Sequence, residues 1–468
     1  MRALVLIHRW LGIALCLLFA MWFASGMVMH MVPFPGLSEA ERVSGLPVME
    51  RADNAIAPSE ALHRLGRHGV RRLRLAAPAG VPVYIGLLQD GSVAALDARN
   101  GSALVVDAQF ALASTRTHAR ARGLDATRAG FVATELHDQW SVPNGLDAHR
   151  PLHRIALDDA DGTMLYVSSI TGEVVLDTIS HERAWNWAGS VVHWIYPTLL
   201  RRHWSAWDST VWWLSLLAML GALSGAALGV LRLNGLRSPS LSPYGGWMRW
   251  HHILGLSCAI FVLTWIFSGW LSMDHGLIFS NGKPTAEESS RIYGPALAGD
   301  TAVGDGIQTA FREIEWFPFA GQTVVRVIDA PGARSVRTRS YKGQWLAAPQ
   351  INSAAQLLAP SCAPAVVVAE GDAYAARSVV PEAPVYRIIC GENWFHIDGA
   401  NGRIIEKLDS SRRAYRWAYQ ALHTLDFPAL TQRETWRTLL IFVLCSAGLG
   451  FSLTGVVIGW RRLKLTAR

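Results

Sequence analysis

Histidines that recur at fixed spacing are the residues of this chain best suited to chemistry. His8 and His251 lie near the start of two long apolar stretches, and each is followed four residues later by a glycine, Gly12 and Gly255. In a helix this glycine lies one turn away on the same face and leaves room for a flat macrocycle against the backbone. Neutral imidazole is a common axial ligand of haem iron, and a helix bundle supplies two such groups from facing helices. The pair therefore predicts a haem site.

A second pair, His193 and His423, lies just before two further apolar stretches, and aromatic residues such as Trp187 and Trp417 surround it. Two matched pairs at opposite membrane faces predict two stacked haem sites and a route for electrons across a bilayer. A different interpretation stays open, because interfacial histidines often anchor by hydrogen bonding and tryptophans form interfacial belts.

Other histidines rank lower. His30 and His275 also lie at the external end, but their spacing of 245 is out of register with the repeat described below, so they are second-rank ligands. His252 is a weaker candidate because it points about 100° away from His251 on a helix, and His203 ranks third. The remaining external histidines show no tight metal spacing and are expected at the surface or in turns: His118, His137, His149, His153, His181 and His396.

The chain is internally duplicated. Residues 8–26 share a His, Leu-Gly, Trp and Ser-Gly pattern with residues 251–269, at a constant offset of 243. A second set of residues recurs at a constant offset of 230: Gly172 and Gly402, Arg183 and Arg413, Trp187 and Trp417, His193 and His423, Gly225 and Gly455, Gly229 and Gly459, Arg232 and Arg462, Leu233 and Leu463. Each half is predicted to be a helix, an external domain, a His-bearing segment and a second helix. The halves are then parallel repeats related by an axis along the membrane normal.

Composition indicates a membrane protein. Of the 468 residues, 51% are hydrophobic and only 17% are charged. Four stretches are long enough to cross a bilayer core, which takes about 20 apolar residues: 10–32, 208–231, 253–273 and 437–460. The first could be a cleaved signal peptide, but the third copies it in mid-chain, so the first is predicted to be retained.

Charge gives the predicted orientation. Basic residues in the short flanks of the spans mark the cytoplasmic side of a membrane protein. If the four spans alternate in direction, all of these residues lie on the side of the two termini, which are therefore predicted to be cytoplasmic: Arg2, Arg9, Arg232, Arg237, Arg249, Arg461, Arg462, Lys464 and Arg468. The net charge of +7 is thus explained by the orientation in the membrane. The lipid bilayer is an expected partner, and nucleic acid is not.

The two long segments between the spans are predicted to be small α+β modules. Residues 58–68 have helical character, and strand-like runs follow at 71–76, 82–88 and 92–97. Three similar turns, at 97–101, 168–172 and 398–402, end in a glycine for which a positive φ is expected. The predicted division of the chain is 1–33, span one; 34–183, external domain one; 184–235, His-bearing segment and span two; 236–247, cytoplasmic loop; 248–275, span three; 276–413, external domain two; 414–462, His-bearing segment and span four; 463–468, tail.

Other chemistries find little support. The chain has no C-x-x-C, no H-E-x-x-H, no nucleotide-binding glycine motif after a strand and no nucleophile elbow. Cys16, Cys258 and Cys445 are expected to be apolar filler in helices. Cys362 and Cys390 both lie in the second external segment, where oxidising conditions would permit a disulfide.

The HRWLG start and Ser-Gly end of the first span, their copy in the third, and the hairpins that lead to a histidine and a last helix resemble the PepSY-associated transmembrane proteins. The resemblance covers nearly the whole chain. It implies a membrane all-α four-helix bundle of two parallel repeats with two α+β PepSY-like periplasmic domains, in the bacterial inner membrane. It also implies that His8, His193, His251 and His423 match the family's recurring histidines.

Members of that family include ferric-siderophore reductases with two b-type haems. The resemblance therefore implies a haem-dependent oxidoreductase that passes electrons to a periplasmic acceptor, with ferric siderophore expected. The electron donor is not identified; quinol and a cytoplasmic reductase are the candidates, because the chain has no nucleotide or flavin motif of its own. The catalytic residues are not identified. The alternative is a non-catalytic membrane protein whose PepSY-like modules bind or regulate a periplasmic protease or peptide, with structural histidines.

Overall fold

A computed structural model gives the fold of the chain and describes residues 1–50, 55–66, 69–233, 241–275, 278–294, 297, 309–376 and 383–466. The helices, in chain order, are α1 (Arg2–Met31), α2 (Glu39–Ser44), α3 (Pro58–Leu65), α4 (Ala108–Ala121), α5 (Ser180–Ala188), α6 (Ser190–His193), α7 (Thr198–Arg201), α8 (Trp204–Leu231), α9 (Gly246–Ser272), α10 (Ala286–Tyr293), α11 (Ala348–Leu358), α12 (Ser410–Tyr415), α13 (Leu422–Thr424), α14 (Pro428–Thr431) and α15 (Glu434–Thr466). A single turn of π-helix, Arg416–Ala421, joins α12 to α13.

The helices α1, α8, α9 and α15 are long and apolar enough to cross a membrane. They cover the four predicted spans except for Val32 and Met273 at two C-terminal ends, and they begin three to eight residues earlier, because polar flanking residues continue each helix. Each of the four packs against two of the others: α1 and α9 both contact α8 and α15. Small residues such as Ala218, Gly221 and Gly448 lie along these contacts and let the helices approach closely. Cys258 and Cys445 are buried among apolar side chains there, as predicted.

The strands are β1 (Val70–Ala76), β2 (Val83–Leu88), β3 (Val93–Asp97), β4 (Gly130–Glu135), β5 (Leu152–Ala156), β6 (Met164–Ser168), β7 (Val174–Thr178), β8 (Phe311–Phe319), β9 (Gln322–Asp329), β10 (Arg334–Arg337), β11 (Lys342–Gly343), β12 (Val366–Val367), β13 (Val385–Cys390), β14 (Asn393–Asp398) and β15 (Ile404–Leu408). They form three antiparallel sheets, in the orders β11-β10-β9-β8-β1-β2-β3, β4-β5-β6-β7 and β12-β13-β14-β15. The disulfide between Cys362 and Cys390 is formed.

The three predicted turns are present. Gly101, Gly172 and Gly402 have φ of 72°, 69° and 67°, a region that glycine enters without steric cost. In each turn the glycine N–H donates to the carbonyl four residues earlier, at 2.7 to 2.9 Å. The strands predicted at 71–76, 82–88 and 92–97 correspond to β1, β2 and β3, and the helix predicted at 58–68 corresponds to α3, with residues 67–68 outside the described residues.

The largest sheet is shared by the two halves of the chain. The sequence predicted one module in each half, but β1 of the first half pairs with β8 of the second, with Leu73 opposite Trp316. On one face of this pair, Leu73, Leu75 and Trp316 join an apolar core beneath α3. The two external segments are therefore held together by a continuous sheet.

The opposite face of the β1–β8 pair is charged and buried. Arg74 Nη1 lies 2.9 Å from Glu313 Oε2, and Arg72 Nη1 lies 3.0 Å from Glu315 Oε1. The side chains of Glu313 and Glu315 are at most 1% exposed. The strand from the first half is basic where the strand from the second half is acidic, so the two complement each other.

Further ion pairs enclose this face, which we call the seam. Arg42 Nη1 and Arg326 Nη2 lie 2.8 and 3.0 Å from the Glu313 carboxylate, and Glu173 Oε2 lies 2.7 Å from Arg74 Nη2. Burial raises the pKa of Glu315, but the charges of Arg326 and Arg72 outweigh burial and hold the pKa at about 2. The carboxylate therefore stays ionised inside the protein.

Three external histidines correct the expectation that all six lie at the surface or in turns. His118, His153 and His396 are 4%, 7% and 0% exposed. His153 and His396 are on strands, and their ring nitrogens are hydrogen-bonded: His153 to Thr134 and the Val106 carbonyl, His396 to Arg387 and Glu406. Spacing alone could not show this, because burial depends on the segments that pack over each strand.

We expect Arg74→Met to destabilise the chain strongly. The variant leaves Glu173 and Glu313 buried with fewer cations, and breaking a buried ion pair by removing one partner costs about 3–5 kcal/mol. Arg71 lies on the same strand with an exposed side chain, so Arg71→Met is the matched control, expected to change stability by less than about 0.5 kcal/mol. Thermal unfolding of the full chain in detergent measures both, and equal losses would contradict a stabilising seam.

His118 is expected to make stability fall in acid. Burial, with the charge of Arg122, lowers the pKa of His118 to about 4. The unfolded pKa is about 6.5, so His118 has no effect above that pH; between about 6.5 and 4 the unfolded chain binds a proton that the folded chain does not. The drop in melting temperature between about pH 7 and pH 5 should therefore be smaller for His118→Leu. The exposed His63→Leu is the control, and the same drop in both variants would rule out a contribution from His118.

Candidate functional site

His8 and His251 face each other inside the four-helix arrangement. His8 is in the second turn of α1 and His251 in the second turn of α9, at the end of the helices that carries the chain termini, called here the terminal end. Their ring centroids are 6.3 Å apart, with 36° between the ring planes. One histidine comes from each half of the chain, so the pair lies where the halves meet.

His193 and His423 form the second pair, at the other end of α1 and α9, called the sheet end. Their ring centroids are 6.4 Å apart, with 67° between the planes. His193 ends α6 and His423 lies in α13, and each segment packs against the first helix of its own half. This pair, too, takes one histidine from each half.

The glycines of the Ser-Gly pairs make room for the second pair of rings. A Cβ on Gly26 would lie 3.5 Å from His193 Cε1, and a Cβ on Gly269 would lie 3.2 Å from His423 Cε1. Glycine therefore lets each imidazole lie directly against a helix backbone.

All four imidazoles are hydrogen-bonded through Nδ1. His193 Nδ1 lies 3.1 Å from Ser25 Oγ, and His423 Nδ1 lies 3.1 Å from Ser268 Oγ. Each serine hydroxyl also lies within donating distance of a carbonyl one helical turn back, so its oxygen is free to accept. The imidazole then carries its proton on Nδ1 and donates it to the serine.

The first pair follows the same rule with different partners. His8 Nδ1 lies 3.2 Å from the Gly221 carbonyl oxygen, which can only accept. His251 Nδ1 lies 2.9 Å from Thr454 Oγ1, whose hydroxyl donates to the Phe451 carbonyl. Among the described residues, no hydrogen bond reaches Nε2 of His8, His193, His251 or His423. The geometry thus leaves a lone pair on each Nε2.

A cavity of about 500 Å³ contains His8 and His251. Its volume is within the range of about 300–1,000 Å³ typical of ligand sites. Glycines of α8 and α15 line it at helical spacing, and Gly225 is required there, because a Cβ would lie 2.6 Å from His8 Cε1. Gly12 also lines the cavity with open space beside it, whereas Gly255 makes room for Phe451.

The lower-ranked histidines lie elsewhere. His252 is buried with both ring nitrogens engaged, Nε2 donating to the Gly229 carbonyl at 2.8 Å and Nδ1 2.9 Å from Ser242 Oγ. His30 Nε2 lies 2.9 Å from Thr438 Oγ1, His275 Nδ1 lies 2.6 Å from Asp208 Oδ2, and His203 accepts from Arg202. Within the described residues, none of these four histidines has its ring against the ring of another histidine.

Sequence reasoning missed several residues of the site. Thr454 and the Gly221 carbonyl hold the first pair, although nothing in their local sequence marks them. The π-helical turn before His423 stacks Tyr419 on that ring, at 5.6 Å between centroids. Arg232 and Arg462 line the cavity, and their matched spacing of 230 was the signal that could have identified them.

The family model described as the PepSY-associated TM region matches residues 5–462. No curated protein matches the chain. The predicted resemblance is confirmed, since the match spans nearly the entire sequence and includes all four candidate membrane helices. This protein therefore belongs to the family defined by the PepSY-associated transmembrane region.

Proposed function

We propose that the protein is a membrane oxidoreductase that binds two b-type haems, one between His8 and His251 and one between His193 and His423. The observation that carries this proposal is the matched geometry of the two pairs, with centroids 6.3 and 6.4 Å apart. A ligating imidazole nitrogen lies about 2.0–2.1 Å from a first-row metal, and the ring centroid roughly 1 Å farther back, so two rings on opposite sides of one iron have centroids roughly 6 Å apart.

The position of the proton on each imidazole also fits the binding of haem iron. A ligating histidine commonly donates its other ring N–H to a carbonyl or similar acceptor, which fixes the ring and makes the ligating nitrogen more basic. The four Nδ1 contacts provide such acceptors, and four Nε2 atoms remain for iron. His8 with His251, and His193 with His423, would each hold the iron of one haem.

Haem supplies one-electron chemistry when bound, and the chain positions it. His8 and Ser25, which marks the second pair, are 17 residues apart on α1, or about 26 Å along the helix. Between the two levels, aromatic rings of both halves pack together: Phe23 lies 6.0 Å from Trp265 and 6.2 Å from Phe261. Apolar side chains thereby fill this part of the space between the pairs.

In this proposal the terminal end is cytoplasmic and the sheets are periplasmic, in a bacterial inner membrane. Exposed arginines at the terminal end support that orientation. Exposed tryptophans lie at both ends of the spans, with Trp10, Trp250 and Trp460 at one end and Trp204 and Trp436 at the other, as in interfacial belts. Electrons would come from quinol or a cytoplasmic reductase and leave to a periplasmic acceptor, for which ferric iron in a siderophore is our proposal.

The purified chain should be red, with a b-type reduced-minus-oxidised spectrum and two haems per chain. His8→Ala and His193→Ala should each remove about half of that signal, because each removes one axial ligand. His203→Ala is the control, since its ring lies outside both pairs.

A colourless, iron-free preparation would contradict the haem proposal and favour the regulatory alternative. Colour that survives both alanine variants would show that haem is bound elsewhere.

Thr454→Val should weaken haem binding at the first pair, because His251 loses the acceptor of its Nδ1 proton; loss of such a partner typically costs 10–100-fold in affinity. Ser257 lies on α9 with an exposed side chain that donates to the Ile253 carbonyl and does not line the cavity, so Ser257→Ala is the control. Haem titration of each variant measures the difference. Equal affinities in the two variants would mean that the Thr454 contact does not support a ligand.

A further inference from the structure

The cavity around His8 and His251 is lined at its terminal end by three guanidinium groups. Arg9 comes from α1, Arg232 caps the C-terminus of α8, and Arg462 lies in the last turns of α15. Three different helices thus bring a permanent positive charge to the same end of one cavity.

Arg9 and Arg462 lie at the same level of two helices that are in close contact. A Cβ on Gly459 would lie 3.8 Å from the Ile13 Cα, so α15 meets α1 at that level. Arg462 is three residues beyond Gly459 and Arg9 is four residues before Ile13, and both therefore lie about one turn toward the terminal end.

The three arginines have no anion among the described residues. None of the ion pairs of the described chain involves Arg9, Arg232 or Arg462, whereas the arginines of the seam are all paired with carboxylates. Charged side chains at the membrane boundary that face a cavity commonly mark the site of a charged ligand. A planar guanidinium fork matches a carboxylate, with which it makes two parallel hydrogen bonds.

The two halves differ in charge at this end. Nearly every lining residue of the cavity has a counterpart in the other half, including Arg232 with Arg462, but Arg9 corresponds to His252. His252 donates from Nε2 to the Gly229 carbonyl, and Ser242 contacts its Nδ1, so both ring nitrogens are engaged by uncharged groups. The α1–α15 side of the cavity therefore holds two arginines and the α8–α9 side holds one.

We propose that Arg9, Arg232 and Arg462 bind the two carboxylates of the tetrapyrrole at the first pair, an inference that rests on the proposed function. The macrocycle is then held with its carboxylate edge toward the terminal end and its apolar edge among the glycines of α8 and α15. The neutral cavity wall deeper in the membrane disfavours the reversed orientation, because an unpaired carboxylate there would lose its hydration.

The test compares haem b with its dimethyl ester, in which both carboxylates are blocked. Each is titrated into the full-length chain made without haem, in a His193→Ala background that leaves the first pair intact, and binding is followed by absorbance. We expect the free acid to bind more tightly than the ester by roughly tenfold or more. Arg462→Gln and Arg9→Gln should each reduce that preference without weakening binding of the ester.

Arg249→Gln is the matched control, because Arg249 lies at the same end with an exposed side chain and does not line the cavity. Equal binding of acid and ester by the unaltered cavity would overturn the carboxylate site while leaving the haem proposal intact. A preference that persists in both arginine variants would do the same. Failure to bind either compound would overturn the proposed function and this inference with it.

Discussion

The ion pairs across β1 and β8 are the constraint on which the rest of the structure depends. Each histidine pair takes one ring from each half of the chain, so both sites exist only where the halves are held together. The seam fixes that association outside the membrane, with arginines on one strand and glutamates on the other. Arg72 and Glu315 are 243 residues apart, the same offset as His8 and His251, so matched positions carry opposite charges. The charged strand of each half is therefore complementary to the strand of the other half, and not to a second copy of its own sequence.

Between the long apolar helices, small residues allow the two halves to pack closely. Lipid provides little hydrophobic drive for helices to associate, so close packing and interhelical hydrogen bonds carry more of the stabilisation. Gly225, Gly26 and Gly269 let three imidazoles lie against a neighbouring backbone, and serine, threonine or a carbonyl accepts each Nδ1 proton. The same contacts that pack the helices therefore orient the rings.

The candidate site was partly predictable. The four histidines in register with the repeat are the four that form facing pairs in the structure, and His30, His252 and His275 are not among them. Their Nδ1 partners were not predictable, because Gly221 is 213 residues from His8 and Thr454 is 203 residues from His251. Such contacts depend on which helix faces which, and the apolar pattern of each helix is compatible with several neighbours.

By itself the sequence determined the four long helices, the duplication, the glycine turns and the histidines to consider, because these follow from local hydrophobicity, backbone sterics and constant spacing. Only the tertiary structure decided that the two external segments share a sheet, that His118, His153 and His396 are buried, and that three arginines meet at one cavity. The physical reason is that strand pairing, burial and charge complementarity join residues far apart in the chain, and a local pattern does not specify its partner.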